Sequence, residues 1–443
     1  IQRALKNVKV LVIGDRADSY GSGGGNMAHE VKAALKDDPE NRTVCINRVY
    51  GLGGLDFFLE DAEEWFRMAL ETARTGKVKK RFDYHGVTPG NRKKVMEPVL
   101  PPIADEETRQ GLVKVYQDSE DGRLEVEMAP LHQFTTVPNR VAPGHGACPG
   151  CGSFSTLHQF LMGIEGNVVL LFQTGCAMVV TTGYPFTAHR VTYLHNLFQN
   201  GSATLSGLVE MYHERIKRKE LPEDLEITFI MVTGDGGMDI GMGPTIGVAN
   251  RNHRMMILEY DNQGYMNTGA QLSYSTPLGH RTSTSNVGPA QKGKQYHHKD
   301  TLQIMAATHI PYVFSATEGF PQDLIQKAAK AQWYANHEGL VYGKVLSFCP
   351  LNWRLEDDVA TEVAQAAADS CFFPLYEVEK GRTTLTYDPE AIGRRIKLGD
   401  YLGMMGKTRH LLSEENKPIL EAGEIEVERR WRRLKAMHEH PLL

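Results

Sequence analysis

Short apolar runs, each closed by glycine or a polar residue, alternate along this chain with stretches whose apolar positions return every three or four residues. Val8-Lys9-Val10-Leu11-Val12-Ile13-Gly14-Asp15 reads as a buried strand. A helical stretch follows, with apolar Met27, Val31, Ala34 and Leu35, and then a second strand over 43–50. Residues 56–75 are again helix-patterned, so residues 1–80 are predicted to form a small βαβα domain. Residues 81–140 carry Pro98, Pro101 and Pro102 and an acidic stretch near 118–121, and read as an extended linker. From 141 to 355, strand-like runs at 168–172, 227–233, 255–260 and 344–348 alternate with helical stretches at 153–164, 202–219, 302–308 and 322–335. That alternation predicts an α/β fold with a mostly parallel sheet and crossover helices. Residues 356–443, with a helix at 359–369 and a charged end, are expected to wrap the core or a partner.

Composition narrows the class. The 443 residues suffice for two or three domains, and a net charge of −5 argues against a nucleic-acid protein. No apolar run approaches the roughly 20 residues of a membrane span, and Ile1-Gln2-Arg3-Ala4-Leu5-Lys6 has no signal-peptide core. A cytoplasmic protein is expected, and the lack of a first Met points to residues missing from the numbering. Six cysteines are too few for a disulfide scaffold in a chain of this length.

Two strand ends carry candidate chemistry. The run 227–233 ends in Gly234-Asp235-Gly236-Gly237, and the run 255–260 ends in Asp261-Asn262-Gln263-Gly264-Tyr265-Met266-Asn267. Ligands of parallel sheets bind outside the carboxyl ends of strands, and glycines there let backbone approach phosphate. Asp235 and Asn262 lie 27 positions apart, room for one crossover helix. Asp235, the Asn262 side-chain oxygen and the Gly264 carbonyl can then grip one Mg²⁺. Gly-Asp-Gly alone is an ordinary turn; with Asn262 at this distance it forms the thiamine diphosphate signature.

The cysteines are unevenly spread. Cys148 and Cys151 form a tight pair in Cys148-Pro149-Gly150-Cys151, Cys176 follows one strand and Cys349 another. Such a set suits an iron–sulfur cluster, and by count and spacing it suits structural zinc equally well. Cys45 and Cys371 lie in apolar runs and read as core residues.

Together, 144–152, Thr174-Gly175-Cys176, 234–241, 260–271, Ser275-Thr276-Pro277, Cys349-Pro350 and 373–377 resemble the β subunit of 2-oxoacid:ferredoxin oxidoreductases of the pyruvate synthase type. The resemblance runs from about residue 141 to the end. It implies a thiamine-diphosphate-binding fold, with Mg²⁺ held by Asp235, Asn262 and Gly264, and a [4Fe-4S] cluster held by Cys148, Cys151, Cys176 and Cys349. It places Thr174, Gly175, Gly234, Gly236, Gly237, Tyr265 and Met266 around the cofactor and Asn267, with His145, beside the reacting carbon; Gln173 and Gln271 are further polar neighbours. Residues 7–60, with Gly51-Leu52-Gly53-Gly54-Leu55-Asp56, look instead like the C-terminal domain of the family's α subunit. The loop Gly21–Gly25 ahead of a helix is a candidate phosphate site, that of coenzyme A for example, or simply a tight turn.

The implied activity is oxidative decarboxylation of a 2-oxoacid, pyruvate-like or aryl such as phenylglyoxylate. Coenzyme A would be the co-substrate, and electrons would pass singly from thiamine diphosphate to the cluster. The Glu that activates the cofactor is expected on a partner α subunit. No Cys-x-x-Cys-x-x-Cys run is present, so a ferredoxin-like subunit is expected to carry the electrons onward. Arg429, Arg430, Arg432 and Arg433 either dock an acidic partner or form a solvated helix face. The alternatives are a non-redox thiamine-dependent decarboxylase with structural zinc, or a non-catalytic metal-stapled scaffold.

Overall fold

The structure, a computed structural model, describes residues 1–17, 23–51, 57–86, 111–118, 122–135, 139–142, 145–182 and 187–440. Gly21, Ser22, residues 52–56, Pro98, Pro101, Pro102 and Gly144, all within segments singled out above, lie outside these. The chain divides into two compact units, residues 1–100 and 101–443.

In the first unit, parallel strands β1 (Val10–Asp15), β2 (Val44–Val49) and β3 (Phe82–Tyr84) stand in the order β1-β2-β3. The helices Asn26–Lys36 and Leu59–Thr75 connect them. Ile13, Ala28, Leu35 and Cys45 form the small core. Asp15 closes β1, and its carboxylate accepts from the backbone N–H groups of Met27 (2.8 Å) and Ala28 (3.2 Å). Those are the donors a phosphate at this helix start would use. Among the described residues Asp15 thus occupies donors that a phosphate here would need; Gly21 and Ser22 of the loop lie outside them.

The second unit is built on an eight-stranded sheet. Its strands are β6 (Asn167–Gln173), β7 (Thr192–Asn196), β8 (Ile227–Gly234), β9 (Met256–Asp261), β10 (Tyr312–Thr317), β11 (Val341–Leu346), β12 (Tyr376–Glu379) and β13 (Arg382–Leu385). Their order is β13-β12-β10-β11-β9-β8-β6-β7, all running one way except β12, which pairs antiparallel with both β10 and β13. Successive side chains feed opposite faces. Leu170 and Phe172 pack with the helices Gly152–Met162 and Pro321–His337, while Leu171 packs with Gly201–Lys217 and Met242–Arg251. Burial on both faces is why these strands read as near-continuous apolar runs.

Two regions differ from the expectation. Within 81–140, β4 (Val113–Gln117) and β5 (Leu124–Met128) form an antiparallel hairpin rather than a structureless connection. Val113, Val115, Leu124, Val126 and Met128 alternate with polar residues, and one face packs with Phe134 on Ile325 and Ala329 of the long helix. In the C-terminal region, β12 and β13 extend the main sheet, and Trp353, Val363, Tyr401 and Met405 build a third core cluster. In the final helix, Lys417–Glu439, Arg429 and Arg430 pair with Glu426 and Arg432 with Glu428, while Arg430 also reaches His298 and Lys435 reaches Asp388 and Glu390. This is the pattern of a solvated helix face rather than of a docking stripe.

Candidate cofactor site

Strands β11, β9, β8 and β6 are consecutive neighbours in the sheet, and all four are parallel. Their carboxyl ends therefore emerge along one edge, bringing Cys349, Asn262, Asp235 and Cys176 to that edge in turn. Sheet order brings together residues that are up to 173 positions apart in the chain.

Asp235 begins a short helix, Asp235–Ile240, and is almost fully buried. One carboxylate oxygen accepts from Ser273. The other faces the Asn262 side chain. The Asn262 amide oxygen stands 3.3 Å from Asp235 Oδ1 and 3.1 Å from the Gly264 carbonyl, three acceptors with no donor between them. Adjacent oxygens of an octahedral Mg²⁺ held at 2.0–2.1 Å lie about 3.0 Å apart. Rotating the amide would also relieve the contact, by letting its NH₂ donate to both oxygens. In that rotated orientation the amide oxygen would accept from Ser153 Oγ and Cys176 Sγ, so the amide is satisfied by protein groups alone. With the oxygen turned to Asp235 and Gly264, the three oxygens have the spacing a divalent cation needs. Burial, and then the Asp261 charge, push the Asp235 carboxyl well above the usual range, so the site favours added positive charge.

Backbone geometry holds this set in place. Gln263, between Asn262 and Gly264, takes φ 67°, the left-handed region. Its N–H donates to Asp261 Oδ1 (2.9 Å), and its carbonyl accepts from Thr276 Oγ1 (2.8 Å). Trp353 Nε1 donates to the Asn262 carbonyl at 3.1 Å. Beneath lies a buried ion cluster in which Lys344 meets Asp261 at 2.9 Å and Glu259 at 3.2 Å.

The glycines answer to protein contacts. A Cβ on Gly236 would lie 2.2 Å from the Tyr265 ring, and one on Gly237 2.2 Å from Thr233 Oγ1. One on Gly175 would lie 2.4 Å from the Tyr260 hydroxyl, and Gly234 packs on the same ring. Tyr265 in turn donates to Asp239 at 3.1 Å.

Cys148, Cys151, Cys176 and Cys349 line a single cavity of about 460 Å³ together with Asn262, Met266 and Asn267. Cys151 caps the helix Gly152–Met162, Cys176 opens the helix Cys176–Thr181 and Cys349 caps the turn Pro350–Trp353. Burial raises the Cys151 and Cys349 thiols, opposed by backbone N–H donors from Ser153 and Phe154 and from Leu351 and Asn352. Cys176 is pushed up to about 12 by burial, then by Cys151 and Cys349. Without bound positive charge these groups are thiols, and a metal group must deprotonate them. Sulfurs around one zinc would lie roughly 3.8 Å apart at a 2.3 Å bond. No three His, Cys, Asp or Glu among the described residues are grouped so as to hold one ion. Four thiols on one cavity have the donor chemistry of an iron–sulfur cluster or of a zinc site.

Not every expected residue reaches the cavity. His145 stacks on Phe154 at 3.6 Å between ring centroids and does not line it. Thr174 bonds His195 at 2.8 Å, also away from it. Asn267 is exposed at the cavity, and Gln271 is tied to Thr268. Sequence reasoning missed Ser153, Gln263, Ser273, Arg281, Lys344, Trp353 and Lys407. Lys344 and Glu259 left a signal, as charges inside apolar strands.

The mostly parallel sheet, with Asp235 and Asn262 at its carboxyl edge, has the architecture of a thiamine-diphosphate-binding domain. The family described as "Thiamine pyrophosphate enzyme, C-terminal TPP binding domain" matches residues 216–343, and "Pyruvate:ferredoxin oxidoreductase core domain II" matches residues 1–62. The pyruvate synthase subunit PorB of Thermotoga maritima is 38% identical over 306 residues, 68% of this chain and 92% of that protein. The ketoisovalerate oxidoreductase subunit VorB of Pyrococcus abyssi is 30% identical over 298 residues, 67% of this chain and 92% of that protein. A solved 2-oxoglutarate:ferredoxin oxidoreductase from Magnetococcus marinus aligns with TM-score 0.39 and 21% identity, covering 50% of this chain and 70% of that one. The chain belongs to the PorB family of 2-oxoacid:ferredoxin oxidoreductase subunits. The N-terminal segment thus matches a different domain model from the one matched by residues 216–343.

Proposed function

We propose that this chain is the subunit that holds both thiamine diphosphate–Mg²⁺ and a [4Fe-4S] cluster in a 2-oxoacid oxidoreductase. One observation carries the reading. The Asn262 side chain lies between Asp235 and Gly264 on one side and Cys176 on the other, so a single residue borders both sites.

Asp235, Asn262 and the Gly264 carbonyl would hold the cation that binds the diphosphate. Cys148, Cys151, Cys176 and Cys349 would hold the cluster, with backbone N–H groups stabilising Cys151 and Cys349 as thiolates. When bound, thiamine diphosphate supplies the carbon nucleophile that cleaves beside a 2-oxo group, and the cluster takes up electrons one at a time. Asn267 lines the cavity wall and offers an amide to the substrate. Met266 and Phe348 make part of that wall apolar and limit water.

The family relatives are named as subunits, which supports partner chains here. We assign the activating Glu and the onward electron path to such partners, and coenzyme A as acyl acceptor. The relatives' names span pyruvate and ketoisovalerate, so substrate choice is left to experiment. Anaerobic purification with co-purifying subunits should give a brown protein with about four irons per chain in this site. With a suitable 2-oxoacid and coenzyme A it should reduce a viologen dye. A colourless protein with one zinc per chain overturns the reading.

A further inference from the structure

Among the described residues four lysines are buried in the second unit, and three of them meet two or more protein oxygens. Lys344 meets Asp261 and Glu259; Lys327 meets Asp323 at 2.7 Å; Lys294 donates to the carbonyls of Ser273, Tyr274 and Thr276. Lys407, 1% exposed, differs. Its ammonium has three protons to donate. Among the described residues it bonds one oxygen, the neutral Oε1 of Gln263, and lies 4.1 Å over the centre of the Trp353 ring. No carboxylate pairs with it among the described residues. An ammonium buried this way is costly unless negative charge lies nearby.

The surroundings show where that charge belongs. Trp353 ends the short helix that Cys349 caps, so the ring under the ammonium belongs to a cysteine-bearing turn. Gln263 lies between Asn262 and Gly264, so the same ammonium touches the loop of the cation set. Burial pushes the Lys407 ammonium well below its usual range, and Cys349, Asp261 and Asp235 oppose that shift.

We propose that Lys407 is the internal counter-charge of the four-cysteine site, and that its ammonium raises the potential at which the cluster there accepts an electron. This rests on the reading of Cys148, Cys151, Cys176 and Cys349 as cluster ligands. Lys407 is a positioning residue that acts through the cluster's electrostatics; it touches no substrate. Reduction adds one negative charge to the cluster, and a fixed cation stabilises the reduced form more than the oxidised form.

The test is a potentiometric titration of the full chain, purified anaerobically with its accompanying subunits. Dithionite supplies the electron through mediator dyes, and electron paramagnetic resonance follows the signal that Cys349→Ser removes. Lys407→Met should lower the midpoint by at least tenfold in the one-electron equilibrium, about 59 mV. Lys407→Arg, which keeps the charge, should restore most of the difference. Gln263→Glu neutralises the ammonium in place without emptying volume, and should lower the midpoint in the same direction; it decides the matter should Lys407→Met fail to fold. Lys407→Met that folds without iron, beside Lys407→Arg with wild-type iron, also supports the proposal. A loaded cluster whose midpoint is unmoved in Lys407→Met and Gln263→Glu overturns the proposal and leaves the cluster assignment standing. Wild-type protein without iron overturns both.

Discussion

The Asn262 side-chain amide stands 3.3 Å from Oδ1 of Asp235, with the Gly264 carbonyl 3.1 Å from it completing the set. This arrangement makes the charge of Asp235 the decisive quantity. Asp235→Asn keeps the shape and the Ser273 contact but removes the anion. Thiamine diphosphate affinity in the presence of Mg²⁺, measured by calorimetry, should fall about 100-fold. Affinity unchanged in the variant would show that the cation binds elsewhere.

Cys349 offers a cleaner test than the other thiols because it is also a helix cap. Serine is a good N-cap, so Cys349→Ser should leave the turn and the melting temperature nearly unchanged. Iron content and the visible absorbance should both drop sharply. A variant that retains four irons per chain removes Cys349 from the ligand set.

Gly236→Ala puts a methyl group 2.2 Å from the Tyr265 ring. The ring, tied to Asp239, must shift, at about 1–3 kcal/mol. The expected result is a lower melting temperature together with weaker cofactor binding, because Asp235 is the neighbouring residue. Wild-type values for both would mean that the glycine is not sterically required.

His189 supplies a pH dependence separate from the site. It is buried beside Phe172 and Tyr193, its Nε2 is 2.8 Å from Thr181 Oγ1, and burial lowers its pKa to about 4. The unfolded chain binds a proton here below about pH 6.5, while the folded chain does so only near pH 4. Stability from this residue is therefore complete above about pH 6.5 and is lost as pH falls toward 4, by at most about 3 kcal/mol. His189→Gln should flatten the change in melting temperature between pH 7 and pH 4.5. An unchanged slope would rule His189 out as its source.

How much of this was legible in sequence depended on whether a residue's partner was local. The runs at β6, β8 and β9 placed those strands to within a residue or two because both faces are buried. The run 344–348 misplaced β11, which spans Val341–Leu346. Lys344 interrupts its apolar pattern, and the Asp261 and Glu259 that neutralise it sit on β9, far away in sequence. The edge strand β7 carries exposed Thr192, Leu194 and His195 and has no apolar run to find. Asp235 and Asn262 were legible because their spacing encodes one crossover. Lys407 was not, since its significance comes from Trp353 and Gln263, brought to it only by the fold.

The acids beneath the cation set have a consequence for the life of the chain. Asp235, Asp261 and Glu259 are buried together, and Lys344 answers only the last two. On the proposed reading, a divalent cation held by Asp235 would bind the folded form and add its binding free energy to folding. Newly made chains are then the most vulnerable to proteases until they are loaded, and cellular abundance should follow the supply of thiamine and magnesium. Pulse-chase half-lives in thiamine-starved and replete cells would read this directly, with equal half-lives counting against it.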